Sequence, residues 1–149
     1  MVREAGSTYS RRKIAILLLI LLVGLLLRVY TTDFTKPITE NSDGAAYDYA
    51  ARNLLKYGVL TNDRDGAMYR GEIALSPASS VMPGYPIFLA VIYILNDALP
   101  FVYMVQILVS MVTLYLIYLI LREIGISFAI SSVVLMVAAV YPAFLYNLD

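Results

Sequence analysis

Cysteine, histidine and tryptophan are all missing from this chain of 149 residues. Without cysteine there is no disulfide framework and no redox compartment to read, and without histidine a metal would have only oxygen ligands, mainly Asp and Glu. Without tryptophan, the thirteen tyrosines must supply any aromatic belt at a membrane surface. Charge of one sign is lacking too. The formal net charge is zero, and no basic tract is longer than Arg11, Arg12 and Lys13, which argues against nucleic acid as a partner.

What is present is apolar sequence in long blocks. Hydrophobic residues make up 60% of the chain, and the mean hydropathy is +0.75. The expected fold is all-α and integral to a membrane, with three transmembrane helices and a long extracytoplasmic loop that carries juxtamembrane amphipathic helices. Residues 1–13 form a polar, unstructured cytoplasmic start whose basic end flanks the first span. The first span covers 14–30, with Arg28 snorkelling toward the far interface; no small-x-small cleavage site precedes Thr31, which favours an uncleaved anchor over a signal peptide.

Residues 31–99 form the outside loop. Within it Ala46, Tyr47, Ala50, Ala51, Leu54 and Leu55 recur at helical spacing before Gly58, predicting a surface helix near 44–57. A second surface helix is expected near 86–95, started by Pro86 at its first position; its apolar run is about half of what spanning needs. The second span covers 100–121, a cytoplasmic turn 122–127, and the third span 128–147. This places a multi-pass protein in the plasma membrane with its N-terminus inside. Three helices and a membrane-lying loop make a poor self-contained bundle, so the remainder of a larger protein is expected beyond this stretch.

The residue that carries chemistry is Asp43. Ser42 or Asp43 caps the helix that follows, and the same carboxylate at a membrane surface could serve as a general base. A second candidate is weaker: Thr61, Asp63, Asp65, Gly66, Met68 and Glu72 fall at calcium-loop positions, but the first position should be Asp, and a plain Asp-Gly turn accounts for the segment. Arg28, a snorkelling flank, is a guanidinium just under the outer interface that could also hold a lipid phosphate, while Arg52 reads as a surface residue of the amphipathic helix.

In order, these pieces resemble the start of a membrane glycosyltransferase of the GT-C superfamily, in the branch of protein O-mannosyltransferases and lipid A aminoarabinose transferases. The resemblance rests on the first helix ending Arg28-Val29-Tyr30, on Ser42-Asp43-Gly44 with Tyr47, and on Ala50-Ala51-Arg52-Asn53-Leu54-Leu55 with Gly58. Pro83-Gly84-Tyr85-Pro86 and the later Tyr141-Pro142-Ala143 complete it. It implies an inverting transfer of a sugar from a polyprenyl phosphate to a hydroxyl on a protein, lipid or glycan, with Asp43 as catalytic base and Arg28, Tyr47, Arg52 and Tyr85 as substrate contacts. Many relatives carry a second acidic residue where this chain has Gly44, so no metal site is assigned and a divalent cation is left open as cofactor. Val81-Met82 likewise stand where many relatives have a basic residue or proline. The rival reading from another class is a small non-catalytic scaffold or accessory subunit, with a transporter fragment as a weaker third.

Overall fold

The computed structural model describes residues 3–38, 42–62 and 81–141, with side chains from Arg11 onward. The described residues form five helices and no strand: α1 (Arg3–Thr31), α2 (Asp43–Tyr57), α3 (Gly84–Leu95), α4 (Leu99–Glu123) and α5 (Phe128–Val140). Two of them, α1 over Arg11–Thr31 and α4, are long and apolar enough to cross a membrane. At 1.5 Å per residue these stretches run about 32 and 37 Å, against roughly 30 Å of bilayer hydrocarbon. The outward faces are apolar, with Leu18, Leu19, Leu22 and Leu26 exposed on α1 and Leu108, Val112 and Leu116 on α4. Lipid-facing helices require that pattern.

α1 begins at Arg3, inside the stretch expected to be unstructured. Once a long apolar helix exists, each further turn adds backbone bonds without a new nucleation cost. The chain divides into two compact units. The first combines α1, α5 and α4 from Met104 onward, and the second holds residues 34–103 with α2 and α3.

In the first unit Ile20, Leu114, Leu135 and Ala139 are buried together, flanked by Leu17, Leu21 and Met111. Lipid tails are as apolar as these side chains, so helices in a bilayer associate through close packing and polar ties. Gly24 supplies the close approach: a Cβ there would lie 3.3 Å from the Ala139 Cβ and 3.4 Å from Leu114. The turn before α5 uses Gly125 at φ 83°. Ser127 then caps α5 by accepting from the Ile130 amide at 3.4 Å. α5 stops at Val140 because Tyr141, which precedes Pro142, is extended. The remaining residues of the expected third span, and most of the calcium-like segment, lie outside the described residues.

In the second unit α2 opens at Ser42, whose Oγ accepts from the Ala45 amide at 3.2 Å. It closes at Gly58, left-handed at φ 73°, whose amide returns to the Leu54 carbonyl. The cap is therefore Ser42, and Asp43 is the first helical residue. α2 buries Ala45, Ala50, Ala51 and Asn53, small side chains that let α3 pack closely. Asn53 Nδ2 donates to the Thr61 carbonyl at 2.8 Å, tying down the chain that leaves the helix.

α3 buries Pro86, Leu89, Ala90, Ile92 and Tyr93, an i, i+3, i+4, i+7 stripe. It starts at Gly84 behind Pro83 rather than at Pro86. Pro86 is tolerated at the third helical position because the first-turn amides have no intrahelical acceptor to lose.

Ser42→Ala removes the cap acceptor, a loss of about 1 kcal/mol. Hydrogen exchange in detergent should show the Ala45 amide opening about five-fold faster, while Asp43→Asn leaves that amide near the parent rate.

Candidate functional site

Asp43 and Asp48 sit on the same helix in opposite circumstances. Asp48 is committed: Tyr93 donates its hydroxyl to Oδ1 at 2.5 Å, and Arg52 Nε lies 3.1 and 3.0 Å from the two carboxylate oxygens. Its side chain is only 13% exposed. Asp43 is exposed on the first turn of α2, and among the described residues its carboxylate takes part in no hydrogen bond or ion pair. A carboxylate whose lone pairs already receive a phenol and a guanidinium is a poor proton acceptor. One with open lone pairs is available for the work.

Tyrosines surround the start of α2. The Tyr47 ring meets Tyr85 edge-on at 5.0 Å, and Tyr85 stacks on Phe88 at 6.0 Å. Ser42 and Gly44, the neighbours of Asp43, line a small cavity with Tyr85, Tyr103, Lys36 and Leu89. Its volume is about 30 Å³, room for one water. Tyr103 donates to the Lys36 carbonyl at 3.2 Å and packs edge-on against Phe34 at 6.3 Å, which holds the 34–38 strand of loop beside the helix start. The structure thus brings Tyr47 and Tyr85 together, one turn along α2 from Asp43.

It places the two arginines otherwise. Arg52 is nine residues along α2 from Asp43, about 13 Å of axial rise. Beyond Asp48, its Nη1 reaches Asp97 at 3.4 Å, and the guanidinium lies 4.8 Å from the centre of the Tyr93 ring. Burial disfavours the charge, but the hydrogen bond and charge of Asp48 outweigh it, with Asp97 adding to them, and the Arg52 pKa stands above its ordinary value. Two carboxylates therefore match this cation, while Lys56 and Leu55 share with it an open groove on the helix.

Arg28 belongs to the first unit and does not snorkel. It is 1% exposed. Nε donates to Ser110 Oγ on α4 at 2.6 Å, and Nη1 donates to Gly24 on α1 at 3.0 Å and to Ala139 on α5 at 3.1 Å. Ala139 lies in the last turn of α5, where carbonyls have no intrahelical donor and the helix dipole is negative. The guanidinium caps that end and ties three helices, so its charge is met by carbonyls instead of an acidic side chain. Among the described residues Nη2 has no hydrogen-bond acceptor.

Tyr93, Asp97 and Gly24 were not singled out as site or packing residues from sequence. Asp48 to Arg52 is legible as an i, i+4 pair. The Tyr93 and Asp97 contacts depend on how α2 meets α3. Burial, then the Asp48 hydrogen bond and charge, push the Tyr93 phenol above its ordinary range, so it stays a donor at neutral pH. No group of three or more acidic residues comes together among the described residues. Comparison with protein families, with curated proteins and with solved structures found no match for this chain.

Arg28→Ala should destabilise the first unit by about 2 kcal/mol or more, through the orphaned Ala139 carbonyl and the emptied volume. Thermal unfolding in detergent micelles reads this directly. A residue serving only as a ligand contact would leave the melting temperature unchanged.

Proposed function

We propose that this chain carries the first-loop base of an inverting membrane glycosyltransferase, which moves a sugar from a polyprenyl phosphate to a hydroxyl-bearing protein, lipid or glycan. The observation that carries the reading is the exposed carboxylate of Asp43 at the start of α2, one turn before Tyr47, whose ring meets Tyr85. The order of the sequence motifs supports it, as do helices α2 and α3 on either side of the described loop residues and two helices able to cross a bilayer.

In the reaction, the acceptor hydroxyl gives its proton to Asp43 as its oxygen attacks the anomeric carbon from the face opposite the phosphate. The new glycosidic C–O bond forms while the bond to phosphate breaks, and polyprenyl phosphate departs with the electron pair. Attack from the opposite face inverts the anomeric centre. A phosphate is a good leaving group and needs little acid assistance, so one base can suffice on the protein side. Tyr47 and Tyr85 present flat apolar faces and hydroxyls suited to flank a sugar ring. Arg52 and Arg28 enter this mechanism only through the helices they hold, because their described contacts already engage them.

Asp43→Asn keeps a polar residue at the helix start and leaves the Ser42 cap in place. In membranes containing the full-length protein, transfer from a radiolabelled polyprenyl-phosphate sugar should fall by about 10²- to 10⁴-fold, with expression and insertion near normal. Transfer retained within a few-fold would remove the base assignment and favour an accessory, non-catalytic role.

A further inference from the structure

We propose that Asp48 and Tyr93 form a positioning clamp that sets the rotation of α2, and so the direction in which Asp43 faces; this rests on reading Asp43 as the base. Five residues separate Asp43 from Asp48, which turns them about 140° apart around the helix. Whatever fixes Asp48 toward α3 therefore fixes the rotational position of Asp43 relative to that helix. Tyr47, four residues after Asp43, lies about 40° from it on the helix and makes the second contact, edge-on to Tyr85.

The polar contact is the directional one. Tyr93 is buried at 8% exposure, and its hydroxyl meets a carboxylate that Arg52 also holds. A ring pair tolerates sliding, whereas a phenol-to-carboxylate bond between partly buried groups restricts geometry more tightly. Arg52 locks the far side of the same carboxylate, lies over the Tyr93 ring, and reaches Asp97 in the link that follows α3. The four side chains thus join α2, α3 and that link at one point, while Asp43 remains outside the network and open to substrate.

The test uses the full-length protein and two readouts. Tyr93→Phe removes a single oxygen and keeps the buried ring, and Asp48→Asn keeps an acceptor oxygen but loses the charge. Each should lower kcat by about ten-fold or more with the donor KM within about two-fold, since misplacing a reacting group costs rate rather than ground-state binding. The double variant should be no worse than the poorer single one, because Tyr93→Phe removes the bond that Asp48→Asn weakens.

These 149 residues contain no cysteine, so a geometric readout needs only that any cysteine elsewhere in the full-length protein be replaced first. Spin labels on Lys56→Cys and Val91→Cys, both exposed positions on α2 and α3, should give a narrow distance distribution in the parent that broadens with Tyr93→Phe. An unchanged distribution overturns the clamp whatever the activity. A broadened distribution with parental kcat overturns its positioning role. If Asp43→Asn retains transfer, the base reading falls by that result alone, whereas failure of the clamp is read from the labels.

Discussion

A polar group taken out of water must find its partners inside the protein, and each unit of this chain is arranged around one that does. In the first unit the group is the Arg28 guanidinium, held by the Ser110 hydroxyl and two helix carbonyls. In the second it is the Asp48 carboxylate, held by a phenol and a guanidinium. Dispersion and apolar burial tell helices to associate, but they discriminate weakly among rotations and registers. A buried charge discriminates strongly, because leaving it unpaired costs far more than any single apolar contact returns. The small residues around each group serve the same end. Gly24 against Ala139 and the Ala50, Ala51 face of α2 let the backbones come close enough for the polar ties to reach.

The sequence already shows the helices and the polar loop because those depend on local patterning. The alanine and leucine spacing before Gly58 and the second long apolar block mark α2 and α4 within a few residues of their limits, whereas α1 starts eleven residues before its expected span and α5 is described only to Val140. Pro83 and Pro86 misplace the start of α3 by two residues, since either can sit in a first turn. The candidate site was legible only in its local part. Asp43 at a helix start, the Asp48 and Arg52 pair, and the tyrosines are visible along one strand of text. The meeting of Asp48 with Tyr93, 45 residues apart, requires knowing which face of α3 packs on α2. Arg28 misled for a related reason: an arginine near the end of an apolar helix reads as a snorkelling flank. Only the approach of α5 reveals that helix carbonyls can solvate it in place.

The separation of capping from chemistry at the start of α2 bears on the proposed reaction. Helix starts demand an acceptor for their first amides, and an aspartate in the cap position would spend its oxygens on backbone donors. Here Ser42 takes that duty with its hydroxyl. The capping demand that could have occupied Asp43 is therefore met by its neighbour. What is left is a carboxylate placed by the backbone of a well-capped helix that, among the described residues, makes no bond through its own side chain. For a general base that combination is the useful one: rigidity arrives through the helix, and the lone pairs stay open for a proton. The same logic gives Gly44 a place. A second carboxylate there would bring like charge beside the first and favour a shared cation or proton over a single open base, so glycine beside Asp43 suits a mechanism in which that residue acts alone.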